Sequence, residues 1–247
     1  MRALLEAELI KLRTTRTFVA LVCVAVGISV LLTGLVAALT EPTQRSVLVD
    51  VFQSDTSGLF ILILAIVGIS GEWRHRTITS SLLAAPDRLR FLAAKTLAFA
   101  VAGVALSVAI SVAVAAVGFT VLEIRGLPTP DVVDVVDLYA RNAAVAALGG
   151  AFGVGIGALI RNQAIAIVAV LLVAFAIEPA LVALAPDVAR FAPISALPTA
   201  ITDVDPEDAG LGDIDLPAPG VALVLLLAWI GAAFAAGYAL LRTRDLT

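Results

Sequence analysis

The chain predicts an all-α integral membrane fold: six transmembrane helices, an amino-terminal interfacial helix, and re-entrant half-helices before the last span. Three observations carry this. First, 61% of the 247 residues are hydrophobic and only 15% charged, against ~45–50% and ~25% in ordinary soluble domains, and the mean hydropathy is +1.06. Second, apolar runs recur that match the ~20 residues a hydrocarbon core demands. Third, the charges collect in short islands between those runs, and the islands differ in sign. Residues 1–247 read as a single transmembrane domain.

Residues 2–16 precede any span. Leu5, Leu9 and Leu12 share a helical face, and Lys11, Arg13 and Arg16 gather toward its end. This is the pattern of an interfacial helix with its apolar face in lipid and its bases toward anionic headgroups. Phe18 to Leu39 form the first span, longer than the ~7–15-residue apolar region of a signal peptide. The lone cysteine, Cys23, lies within it, which excludes an intramolecular disulfide. Residues 40–56 are a mildly acidic connector. Gly58 to Ser70 continue a second span that is short unless it begins near Val47–Phe52.

Gly71 to Lys95 (GEWRHRTITSSLLAAPDRLRFLAAK) form the one long polar island of the first half. Arg74, Arg76, Arg88, Arg90 and Lys95 outweigh Glu72 and Asp87, and the only histidine, His75, is here. Ile78, Leu82 and Leu83 fall on one helical face, and Pro86-Asp87 marks a break and a fresh helix start. A cationic, amphipathic segment between two spans reads as a cytoplasmic docking loop, over residues 71–90.

The third span lies within Phe91 to Leu122, where Gly103, Ser107, Ser111 and Ala115 form a small-residue ridge. The connector Glu123 to Asp137 is acidic. The fourth span, about Tyr139 to Ile160, carries Gly149, Gly153 and Gly157 in a GxxxGxxxG face. Close backbone packing is the expectation there, with a homodimer contact or a gating helix as alternatives. After the Arg161-Asn162-Gln163 turn, a fifth span runs from Ala164 to Glu178-Pro179. Glu178 is the only acid placed inside an apolar span. At ~1.5 Å per residue it lies roughly 25 Å from Arg161, near the outer interface, as a wetted acid or a pathway contact.

Residues 180–218 change character. Pro186, Pro193 and Pro198 forbid one straight helix, so short re-entrant helices are expected. Six acids then pack into a hydrophilic tip: Asp203, Asp205, Glu207, Asp208, Asp213 and Asp215. The tip lacks the glycine and the final glutamate of a calcium loop. Val221 to Leu241 form the last span.

An even span count puts both termini on one side. Of the 16 Lys/Arg, only Arg45, Arg125, Arg141 and Arg190 fall on the other side, so the termini and the central loop are expected in the cytoplasm of a multi-pass cell-membrane protein. The chemistry of catalysis is not in evidence. No phosphate-binding loop, HExxH or GxSxG pattern appears, and no His/Cys set suggests a metal, so no catalytic residue, metal ligand or cofactor is assigned to the chain. The basic residues lie against the membrane, which argues against nucleic acid as a partner.

Gly71-Glu72-Trp73-Arg74-His75-Arg76-Thr77, followed by Leu82-Leu83 and the bases from Arg88 to Lys95, resembles the first cytoplasmic loop of type-2 ABC (ATP-binding cassette) transporter permeases. There a Gly-Glu-aromatic-Arg-x-x-Thr segment ends the second span and opens a coupling helix. Arg76 departs from the pattern, since small residues are usual at its position. The resemblance extends to the interfacial helix, the six spans and the proline-broken half-helices. It implies a permease subunit that pairs with a second copy or a related permease. It also implies two separate ATPase subunits, which would carry ATP and magnesium, engaged through Glu72, Trp73, Arg74, Arg76, Thr77, Leu82 and Leu83. The apolar spans favour an amphipathic, drug-like or lipid-like export cargo over an ion. An integral membrane enzyme acting on lipids and a non-transporting anchor for a soluble partner are the alternatives.

Overall fold

The computed structural model describes residues 2–74, 77, 87–160 and 162–243. The structure is about 80% helix, with no strand among the described residues. Helix α1 (Arg2–Thr14) turns at Thr15 into α2 (Arg16–Leu39). Helix α3 (Val47–Phe52) is separated from α4 (Ser57–Arg74) by residues 53–56. Helix α5 spans Arg88–Arg125 and α6 spans Val132–Leu159. The α5 start is capped by Asp87, whose carboxylate accepts from the Leu89 and Arg90 amides at 3.0 and 3.2 Å. Its end is set by Gly126, whose φ of 66° is left-handed and suited to glycine. Asp131 caps α6 and Asn162 caps α7 (Gln163–Leu172) in the same way.

Six helical segments among the described residues are long and apolar enough to cross a membrane. The second is α3 with α4. The fifth is α7, a π turn over Val173–Ile177, and α8 (Glu178–Leu184). The sequence alone does not announce that π turn. Pro179 lacks an N–H and crowds the carbonyl four residues back, which explains a wide turn just before it. The turn also serves burial. Ala166, Val170 and Glu178 all face inward; twelve residues at ~100° each would carry Glu178 roughly 120° away from Ala166 in an unbroken α-helix, and the wide turn takes up part of that drift.

Helix α6 is the axis of the bundle, with α4, α5 and α11 (Pro219–Thr243) packed around it. Small residues make this possible. A Cβ on Gly153 would sit 2.5 Å from the Leu62 carbonyl oxygen of α4 and 2.8 Å from Ala65 Cβ, and Gly149 and Gly157 meet the same helix. Gly150 lies against the Phe99 backbone of α5, and Gly155 against Ala233 of α11. Gly103 completes the α5 contact, against the Ala146 carbonyl. By contrast α2 and the fifth span carry most of their apolar side chains exposed, as lipid-facing helices do.

Helix α5 has 38 residues, roughly 57 Å at ~1.5 Å each, well beyond a ~30 Å hydrocarbon core. It therefore links both ends of the molecule. At one end it meets α1, the end of α4 and the end of α11, where Leu4, Trp73, Phe91 and Leu241 pack together. The Arg88 guanidinium donates to the Leu241 carbonyl there. At the other end Arg125 donates to the Ala37 and Thr40 carbonyls at 2.8 and 2.6 Å, closing the last turn of α2. The proline-broken segment lies at this second end, as α9 (Pro186–Ala189) and α10 (Ala196–Thr202). Leu197, Ala200 and Ile201 of α10 are buried with Ala222 and Leu226 of α11.

Candidate functional site

Among the described residues, two polar centres stand out, one toward each end of the bundle. At the basic end, four charged residues from three helices form one network. Lys95 of α5 is 2% exposed, and its Nζ lies 2.7 Å from Glu8 Oε2 and 3.0 Å from Glu72 Oε1. Lys11 lies 2.6 Å from Glu8 Oε1 and 3.3 Å from Glu72 Oε1. Glu8 sits on the inward face of α1, between Leu5 and Leu12, and Glu72 is in the last turn of α4. Two carboxylates and two ammonium groups balance in charge. That balance lets two acids and a lysine stay buried, since a buried charge without a partner is strongly unfavourable.

The electrostatics are consistent with a closed network. Burial opposes ionisation of Glu8, but Lys95 and Lys11 outweigh it and hold the carboxyl below its ordinary range. Burial also opposes the charge on Lys11, and Glu8 and Glu72 outweigh it, holding that amine above its ordinary range. A cavity of about 670 Å³ adjoins the network, with Arg74, Gly71 and Gln163 among its walls. Glu72 Oε2 is buried there with no hydrogen-bond partner within the protein.

The loop residues singled out from sequence divide accordingly. Glu72 faces inward, toward α1 and α5, and is 8% exposed. Trp73 packs against Phe91 and Leu241, while Arg74 is exposed at the end of α4. The Thr77 amide donates to the Glu72 carbonyl at 2.9 Å. Arg76, Leu82 and Leu83 lie outside the described residues. Gly149, Gly153 and Gly157 pack within the chain, against α4. Glu178 is 2% exposed, and its carboxylate accepts from the Ile194 and Ser195 amides at 3.1 and 2.7 Å. Instead of being wetted at an interface, it staples α8 to the segment that starts α10.

The second polar centre was not legible as a site in the sequence. Residues 53–56 break the second span, and Asp55 lies in that break. Its Oδ1 accepts from the Ser57 amide at 2.7 Å and its Oδ2 from the Ser107 hydroxyl at 2.6 Å. Thr56 is joined to Ser29 of α2, their hydroxyl oxygens 2.9 Å apart. Asp55 lines a cavity of about 290 Å³ bounded by α4, α6 and the stretch from Pro193 to Thr202. Two polar atoms on this cavity's lining residues are buried without a hydrogen-bond partner within the protein: Gln53 Oε1 and Asn142 Nδ2. Leu62, Phe152 and Leu226 supply an apolar side. The acidic tip holds no group of three or more metal-ligating side chains among the described residues. Asp203 is instead bound by Arg141 at 3.0 Å. Searched against protein-family models and against curated proteins, the chain matches none.

Proposed function

We propose that the chain is the transmembrane permease subunit of an ATP-driven ABC exporter, which couples ATP hydrolysis on separate ATPase subunits to export of an amphipathic or lipid-like cargo. In this reading α1 lies along the inner leaflet. Residues 71–90 are the coupling loop, the termini are cytoplasmic, and the segment 180–218 dips into the outer leaflet. A second permease copy completes the pathway. With the Gly149/Gly153/Gly157 face used inside the chain, that copy would meet a different surface.

One observation supports this reading above the others. Lys95 binds Glu8 and Glu72 together, so α1 is fastened to both helices from which the loop emerges. A push on the loop would then move α1, α4 and α5 as one lever, and α5 is long enough to carry it across the bundle. A loop that only oriented the protein would need exposed bases and no internal clamp. Arg74, exposed beside the clamp, is the group best placed to meet an ATPase.

The test is isolation of the tagged chain from its own membranes in mild detergent. An ATP-hydrolysing protein should co-isolate at fixed stoichiometry, and Arg74→Ala should weaken that association while leaving membrane insertion unchanged. A folded chain that never carries an ATPase would contradict the proposal.

A further inference from the structure

The cavity beside Asp55 holds a combination that the packing of the bundle does not explain. Asn142 is 5% exposed, yet its Nδ2 has no partner within the protein, and Gln53 Oε1 is likewise unpartnered. Burying a donor or acceptor unmade costs about 1–3 kcal/mol each. Two at one cavity, beside a carboxylate, are therefore expected only if something else fills it. The charge is equally one-sided. Asp55 is a partly buried carboxylate within a membrane-crossing segment, held by two neutral donors, and no lysine or arginine among the described residues pairs with it. Ionisable groups in such segments are rare and favour a functional partner. The far wall is fixed, because Glu178 locks the backbone of Ile194 and Ser195.

We propose that this cavity binds a small amphipathic cation, its ammonium against Asp55, its hydrogen-bonding group against Asn142, and its apolar body against Leu62, Phe152 and Leu226. The volume of about 290 Å³ lies near the ~300 Å³ lower end of small-molecule pockets, so the ligand is of single-ring size. Water alone would satisfy the two orphan atoms, but it would leave the carboxylate's charge unpaired beside an apolar wall. A metal cation is disfavoured by the donor set: one carboxylate without another acid or a histidine grouped with it. Identifying this ligand as the transported cargo rests on the exporter reading; the binding itself does not.

The experiment uses the full chain in lipid nanodiscs and three probes of one shape: phenethylammonium, 2-phenylethanol and phenylacetate. Calorimetric titration should show phenethylammonium binding at least about tenfold more tightly than the alcohol, with the anion weakest. Asp55→Asn should bring cation and alcohol to equal affinity. Asp55 also caps α4, so a second variant guards against misfolding. Asn142→Leu removes an unpartnered polar group and fills the cavity, and should abolish binding of all three probes while thermal stability holds or rises. Equal binding of the three probes, no binding of any, or an unchanged cation preference in Asp55→Asn would overturn the proposal. None of these readouts needs an ATPase, so failure here leaves the coupling reading standing, and failure of coupling leaves this binding measurable.

Discussion

Lys95 and Glu8, 87 positions apart in the chain, are joined by a 2.7 Å ion pair at a site where the lysine is almost wholly buried. The pair fixes the amino-terminal helix to the bundle, and Glu72 shares the same ammonium at 3.0 Å. Lys95→Met should therefore cost about 3–5 kcal/mol, because it leaves two buried acids to one half-exposed lysine. Thermal unfolding in detergent and protease cleavage within α1 would report it. Replacing Glu8, Glu72 and Lys95 together with Leu, Leu and Met should recover most of that stability. A single variant as stable as the parent would mean that the network contributes nothing to docking α1.

The same network sets a pH window for α1. Glu8 has a depressed folded-state pKa, so its contribution is present above the ordinary value of 4.5 and is lost as pH falls through the lower, folded one. Lys11 has a raised pKa. Its contribution is complete below 10.5 and is lost as pH rises through the higher, folded value. Hydrogen exchange of the α1 amides, corrected for intrinsic rates, should thus be flat from about pH 5 to 10. A transition near neutrality would contradict the assignment.

Gly153 tests the axis of the bundle. A Cβ there meets the Leu62 carbonyl at 2.5 Å, so Gly153→Ala should cost about 1–3 kcal/mol and Gly153→Leu should prevent stable folding. Gly231→Ala on α11 meets nothing within 4 Å and should be neutral or slightly stabilising. Equal effects at the two sites would mean that α4 and α6 are not in contact.

Orientation can be read with cysteines in a Cys23→Ser background. Ser80→Cys, in the central loop, should resist an impermeant thiol reagent in intact cells, and Asp208→Cys, in the acidic tip, should react. The reverse pattern would invert the proposed topology.

How far the sequence carried these conclusions differs by level. The six spans were legible because length and hydropathy are local properties, and the helix start at Pro86-Asp87 is written in residue type, whereas the caps at Asp131 and Asn162 emerge only from the structure. The break at residues 53–56 was harder. Val47–Phe52 reads as a possible extension of the span and Asp55 as part of the mildly acidic connector; only the fold brings Asp55 to Ser107 and to the cavity that Asn142 also lines. The clamp was hidden for a similar reason. Glu8 lies between leucines on the inward face of α1, and Lys95 lies inside FLAAKTLAF. Each is a misplaced charge when seen alone. An acid on an apolar stripe and a base inside an apolar run, in one chain, were the signal that could have paired them. Glu178 could not be read this way, since its partners are backbone amides that carry no residue signature.

The most direct test of the proposed coupling is ATP-dependent transport in proteoliposomes holding the chain and whatever ATPase co-isolates with it, with Glu72 and Arg74 both changed to Ala. The account predicts normal insertion, since Arg88 and Arg90 keep the loop basic. ATP hydrolysis should persist and transport should fall by at least an order of magnitude, because the loop has lost both its clamp to Lys95 and its exposed guanidinium. A doubly substituted chain that inserts normally and still exports cargo at the parental rate would contradict it.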